Sequence, residues 1–273
     1  MLYGVIMTLK GGKIMDEKLE NKLKNGEVII GAYIFGGFPM MTEAISLCGY
    51  DVLWIDMEHT AIGNEALINN LIAAKAGGTP SWVRIHWNDP VLAKPVLDMG
   101  VDGIIFPYVR TAEEAKLAVQ ACCYPPEGIR GYGPLRALNY GAISQMEYVT
   151  ETYKKCKKVI QIEHIDAVNN LEEIADVEGV DAFIVGPNDL SGSIGLIGQV
   201  KREECTKLYE EIARILKAKN KPFGVATGPD EEFIDLWLKL GATIIFAGHD
   251  MGFVQKGASA NKTMLEGVVS RNS

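Results

Sequence analysis

Short apolar runs and longer amphipathic stretches alternate along this chain from about residue 28 onward. The runs, rich in β-branched and aromatic residues, are VIIGAYIF (28–35), DVLWID (51–56), SWVRIH (81–86), DGIIFP (102–107), KVIQIE (158–163), VDAFIVG (180–186), KPFGVAT (221–227) and ATIIFAG (242–248). Each reads as a strand. The stretches between them, such as GNEALINNLIAAKAGG, TAEEAKLAVQACC, REECTKLYEEIARILKAKN and PDEEFIDLWLKLG, place apolar residues at helical spacing and carry glycine near several ends. A strand followed by a helix, eight times over, predicts an α/β protein built as a single (β/α)8, or TIM, barrel. The alternative is a doubly wound open sheet, which normally carries G-x-G-x-x-G after its first strand; GAYIFGGFP lacks that spacing. The expected division is an N-terminal extension over 1–27 and a barrel domain over 28–273.

One connection is out of proportion. Residues 122–150, CCYPPEGIRGYGPLRALNYGAISQMEYVT, are rich in proline and glycine and include Arg130, Tyr132, Arg136 and Tyr140. Loops of this length in compact folds are usually functional, so the segment reads as a lid with anion-contacting and stacking groups; a structural excursion is the other reading.

Composition narrows the function classes. With 48% hydrophobic and 23% charged residues the chain can bury a large core and is not a disordered segment. A net charge of −8 without a basic stripe argues against a nucleic-acid partner. Cys48, Cys122, Cys123, Cys156 and Cys205 show no C-x-x-C or zinc-type spacing, which points to reduced thiols. Neither a signal-peptide pattern nor an apolar run of transmembrane length is present, so a cytoplasmic protein with no membrane partner is expected.

In a barrel of this kind the chemistry collects where the strands end. Strand two delivers Asp56, Glu58 and His59, strand three Arg84 and His86, strand five Gln161, Glu163 and His164, and strand six runs into GPNDLSGS with Asn188 and Asp189. Lysine is missing from every one of these ends, since Lys158 and Lys221 begin their strands, and Schiff-base catalysis is disfavoured. Glu163 and Asp189 fall on neighbouring strand ends and suit one hard divalent cation, Mg2+ or Mn2+, with Co2+ also admissible. A 2-oxo acid would complete the coordination, the cation drawing charge onto the keto oxygen as an enolate forms and Arg84 sharing that charge. His59 is the candidate general base or proton shuttle, with Asp56 the candidate partner that orients it. A hydrogen-bonded strand terminus is the plainer reading of Asp56 and Glu58. His86, His164 and His249 are weaker candidates, with capping an equally simple role for the last.

These stretches, taken in order as DVLWIDMEH, VRIHWND with VLDMGVDGIIFP, YPPEGIRGYGPLRA, VIQIEH and GVDAFIVGPNDLSGSIG, resemble the HpcH/HpaI aldolase family from about residue 28 to about residue 265. The resemblance implies a barrel of the phosphoenolpyruvate/pyruvate type and a divalent-metal-dependent class II aldolase, a lyase that cleaves a 4-hydroxy-2-oxo acid to pyruvate and an aldehyde through a pyruvate enolate. By motif position it implies His59 as catalytic histidine, Arg84 as enolate-stabilising arginine, Glu163 and Asp189 as metal ligands, and Gln161, Asn188 and Asp189 as substrate contacts. It further implies that Asp98 heightens the basicity of the histidine of an adjacent subunit. A homohexamer that exchanges its last helix, after about residue 249, is the implied assembly. Other readings are oxaloacetate decarboxylation on the same site, a phosphate-sugar isomerase using the ATG and AGHD turns, and a silent oligomeric binding protein. The aldehyde, the preferred metal and the pathway are left open by the sequence.

Overall fold

Eight parallel strands close on themselves in chain order in the computed structural model, which describes residues 10–272. Each strand pairs with the next and β8 returns to β1: β1 (Ile29–Ile34), β2 (Val52–Asp56), β3 (Ser81–Arg84), β4 (Gly103–Phe106), β5 (Lys157–Ile162), β6 (Ala182–Val185), β7 (Phe223–Thr227) and β8 (Ile244–His249). All eight fall within the runs that the hydrophobic pattern marks, give or take a residue at their ends. Helices cover the barrel from outside: α2 (Pro39–Ser46), α3 (Asn64–Gly77), α4 (Pro90–Asp98), α5 (Ala112–Cys122), α6 (Gln145–Thr150), α7 (Ile165–Asn169), α8 (Leu171–Ala175), α9 (Pro187–Ser193), α10 (Glu203–Ala218), α11 (Glu231–Leu240) and α12 (Asp250–Asn272), following α1 (Lys10–Asn25). Among the described residues no helix is long and apolar enough to cross a membrane, and the five cysteines are free.

The period of two along each strand sorts residues into two cores. Outward-facing Leu53, Ile55, Val83, Ile104, Ile160, Phe183 and Val225 pack beneath the helices, while inward-facing Ile29, Val52, Trp54, Trp82, Ile105, Val159, Ile184 and Phe246 fill the barrel. Both faces are buried, so the strands read as continuous apolar runs and not as alternating ones. Gly103 makes the filling possible, because a Cβ there would lie 2.4 Å from the Trp82 ring.

Residues 1–9 of the expected N-terminal extension lie outside the described residues. The part that follows is α1, whose Leu19 and Leu23 pack onto the inner core and whose Lys18 and Lys22 pair with Asp51 just before β2. It therefore closes the N-terminal end of the barrel.

The long connection after α5 is not a lid over the mouth. A segment that leaves the end of a helix and enters the start of the next strand must run along the N-terminal face, opposite the strand ends where chemistry sits. There Arg130 is buried, 2.8 Å from Asp98 and 3.1 Å from the Tyr148 hydroxyl, with its guanidinium over the Tyr124 ring at 4.8 Å. Arg136 donates to the carbonyl of Met99. Tyr124, Leu138, Tyr148 and Tyr153 form a small apolar cluster of their own. Two of the cations read as anion contacts are thus spent on holding this excursion together.

Candidate active site

The inner-face alternation that places Trp54 and Trp82 in the barrel carries Asp56 and Arg84 one step further, to its C-terminal mouth. The register sets them side by side, Asp56 opposite Arg84. Arg84 Nε donates to Asp56 Oδ1 at 2.8 Å and Nη2 to Oδ2 at 2.7 Å, a two-pronged pair in which both side chains are buried. Burial pushes the guanidinium down, but the hydrogen bonds and charge of Asp56, then the charges of Glu58 and Glu163, hold it above its ordinary value. The expectation that Asp56 orients His59 is corrected here. Its oxygens are engaged by Arg84, and Oδ1 also accepts the Glu58 N–H at 3.0 Å. The carboxylate in ion-pair range of His59 is instead Glu58, 3.9 Å from Nε2.

His59 itself stands on the bend after β2 with its side chain 61% exposed. Thr60 Oγ1 donates to the Asp56 carbonyl at 2.5 Å and Met57 N–H to the Arg84 carbonyl at 2.9 Å, which fixes the backbone of this bend.

On β5 the same alternation turns Gln161 and, just past the strand, Glu163 inward. Glu163 is 2% exposed; Oε1 accepts the Tyr108 N–H at 2.7 Å and Oε2 the Gln161 amide at 2.5 Å. Burial and then the charge of Glu58 raise its carboxyl, the Tyr108 N–H and Arg84 pull it back, Asp189 raises it again, and the outcome is a group pushed up to about 8. Tyr108 reaches it from a left-handed backbone conformation, φ 57°, which non-glycine residues hold at a cost of about 1–3 kcal/mol. Gly186, at the end of β6, is a glycine because a Cβ would lie 2.8 Å from Gln161 Nε2 and 2.9 Å from Glu163 Oε2. Asn188 and Asp189 follow in the first turn of α9, both exposed, with Asp189 close enough for its charge to raise the Glu58 and Glu163 carboxyls.

Three carboxylates, Asp56, Glu58 and Glu163, thus bear on one arginine that Asp56 already neutralises, and a fourth, Asp189, bears on Glu58 and Glu163. Such an excess favours a further cation, and all of its donors are hard oxygens, the ligands Mg2+ and Mn2+ take. Each Glu163 oxygen accepts one hydrogen bond and retains a lone pair for a ligand. Among the described residues no three or more His, Cys, Asp or Glu side chains form a metal cage; a cation held by Glu163 and Asp189 would draw its remaining ligands from water and substrate. The residues present fit the ion.

Other predicted residues take other places. Asp98 ends α4, so it lies at the N-terminal rim, the far end of its own barrel from His59, paired with Arg130. His86 is exposed beyond β3. His164 Nδ1 accepts the Asp166 N–H at the start of α7, and His249 Nδ1 accepts the Gly252 N–H at the start of α12, so both cap helices. Lys158, at the N-terminal end of β5, pairs with Asp181. Sequence reasoning missed Tyr108 and Gly186. The first acts through a backbone N–H that no side-chain pattern reveals, while the second was legible in principle, as a glycine directly after a strand that carries the site.

A closed parallel barrel whose C-terminal mouth gathers acidic, amide and imidazole groups around one buried arginine defines a (β/α)8 enzyme. The chain belongs to the HpcH/HpaI aldolase/citrate lyase family, whose model matches residues 30–256, and it is a lyase. It is 34% identical over 240 residues to the 5-keto-4-deoxy-D-glucarate aldolase of Escherichia coli strain K12, an alignment that covers 88% of this chain and 93% of the relative. Among solved structures it is similar to an HpcH/HpaI aldolase/citrate lyase family protein from Burkholderia cenocepacia J2315, with a TM-score of 0.85 at 25% identity over 91% of this chain and 99% of that one. It is also similar to the citrate synthase SbnG, with a TM-score of 0.77 at 30% identity over 92% and 98%.

Proposed function

We propose that this lyase is a divalent-cation-dependent aldolase that cleaves a 4-hydroxy-2-oxo acid into pyruvate and an aldehyde. The observation that carries the reading is the buried Glu163 carboxylate, shaped by Tyr108, Gln161 and Gly186 and facing the charge of Asp189. Glu163 and Asp189 would hold the cation, which when bound supplies Lewis-acid polarisation of the keto group. Arg84 Nη1, which Asp56 leaves unclaimed, offers a charged donor to the oxygen on which negative charge grows. Gln161 and Asn188, with Asp189, contact the 2-oxo acid. His59 takes the proton of the 4-hydroxyl as the C3–C4 bond breaks toward the keto group, and a proton returned to C3 releases pyruvate. Asp98, at the opposite rim, serves the histidine of another copy. The support for such an assembly, a homohexamer in this reading, is α12, which carries Met251, Val254, Met264, Leu265, Val268 and Val269 exposed.

Solvent deuterium exchange into the methyl group of pyruvate tests the proposal without knowledge of the aldehyde. Exchange that requires Mn2+ and is lost in Glu163→Ala is the expected result. Exchange at the same rate without the cation, or none in the wild-type protein, overturns it.

A further inference from the structure

Asp56 holds Arg84, and Glu163 and Asp189 would hold the cation, which leaves Glu58 without a role in the reaction above. Its surroundings are specific. Oε2 lies 3.0 Å from Arg84 Nη1 and 3.9 Å from His59 Nε2, so one oxygen faces both the anion-binding cation and the proton carrier. Two of the three guanidinium nitrogens are spent on Asp56; the third is shared between Glu58 and the more distant Gln161 Oε1 at 3.4 Å.

The two carboxylates hold Arg84 in different ways. Asp56 makes two aligned hydrogen bonds from a strand position. Glu58 Oε2 is buried yet makes no hydrogen bond, so its hold is charge against charge without the directional part. Its backbone, by contrast, is fixed through the Asp56 carboxylate and the neighbouring Met57 N–H. The partner that yields to a competitor is therefore the Glu58 side chain, by rotation about its own bonds.

We propose that Glu58 is a displaceable second counter-ion of Arg84 beside Asp56: without substrate it occupies Nη1, on binding it gives up Nη1 to the substrate oxyanion, and it turns to His59, whose imidazolium it then pairs as the proton is taken. Glu58 is thus a positioning residue that acts through Arg84 and His59. This rests on the reading of Arg84 as the anion contact of the proposed aldolase. It couples substrate entry to histidine orientation, because two anions crowded on Nη1 repel each other and the one held without a hydrogen bond is the one that moves.

The test is Glu58→Gln, which keeps the shape and removes the charge, with oxalate as the probe because it is a dianion resembling the pyruvate enolate. Titrated in the presence of Mn2+, Glu58→Gln should bind oxalate about tenfold more tightly than wild type, since no charged competitor remains on Nη1. Turnover should split: kcat falls about tenfold or more while KM does not rise. Glu58→Asp, which restores the charge on a shorter arm, should recover part of kcat. In an Arg84→Gln background the gain in oxalate affinity from Glu58→Gln should vanish. A purely structural Glu58 would raise KM and weaken oxalate, and that outcome overturns the proposal, as does an equal gain in the Arg84→Gln background, which would mark a general charge effect. Failure of the aldolase reading shows separately, as absent Mn2+-dependent exchange in the wild-type protein, while the oxalate titrations judge the counter-ion role by binding alone.

Discussion

Asp56 and Arg84 meet through two parallel hydrogen bonds at 2.8 and 2.7 Å, on adjacent strands and in register, with neither side chain open to solvent. The arginine that stabilises charge in the proposed reaction is therefore also half of a buried ion pair, and its guanidinium lies 5.2 Å from the centre of the Trp54 ring beneath it.

Removing one member of such a pair leaves the other charged and buried, at a cost of about 3–5 kcal/mol. Asp56→Ala should lower stability by that order in urea unfolding followed by tryptophan fluorescence, and Arg84→Ala by a similar amount. Lost activity in Arg84→Ala is then ambiguous on its own. Arg84→Lys, which retains the charge but not the two-pronged geometry, should unfold closer to wild type and still turn over more slowly.

His59 contrasts with this pair. Its exposure means that truncation removes little packing, so His59→Ala should melt within about 1 kcal/mol of wild type, as for other surface substitutions. If it carries the proton, kcat should drop by about 10²–10⁴ with Mn2+ affinity unchanged. Full activity in His59→Ala would remove it from the mechanism.

Most of the fold was legible in the sequence, and part of the site. Strand positions are set by local composition, and eight apolar runs separated by amphipathic stretches leave few topologies open. Pairing across strands is different, since nothing local says that Asp56 sits opposite Arg84 instead of reaching His59 three residues on; register decides it. The segment after α5 was misplaced at the mouth because its glycines, prolines and arginines were weighed above its position between a helix end and a strand start. That Glu163, Gln161 and Asp189 lie at the mouth was legible because the ends of parallel barrel strands face it; the roles given to them rest on the proposed reaction.

Gly186 gives a compact test of how closely the Glu163 carboxylate is shaped. An added methyl would press on the Gln161 amide and on Glu163 Oε2, both within 3 Å, while the backbone there lies in an ordinary extended region. Gly186→Ala should fold, yet bind Mn2+ about 10–100-fold more weakly, as disturbed partners of metal ligands generally do. Calorimetric titration decides it; wild-type affinity would mean that Glu163 is not the ligand or that the site is looser than its contacts suggest.

The Glu163 carboxyl links cation, proton and stability, and the sign can be worked through. In the cation-free folded protein it is pushed up to about 8, from an ordinary carboxyl value of 4.5. Between these values the folded chain keeps a proton that the unfolded chain has released. Stability falls with pH wherever the folded state binds more protons, so Glu163 makes the cation-free protein progressively less stable as pH rises from about 4.5 to about 8, and has no further effect above that. A cation reverses the balance because it binds the ionised carboxylate and expels the proton. Mn2+ affinity should therefore fall about tenfold for each pH unit below about 8 and level off above, with about one proton released per ion near neutral pH. Calorimetry in buffers of different ionisation enthalpy reads the proton directly. Glu163→Gln, which cannot titrate, should flatten the cation-free stability profile across the same window; an unchanged slope in that variant would assign the proton to Glu58, whose carboxyl burial also raises.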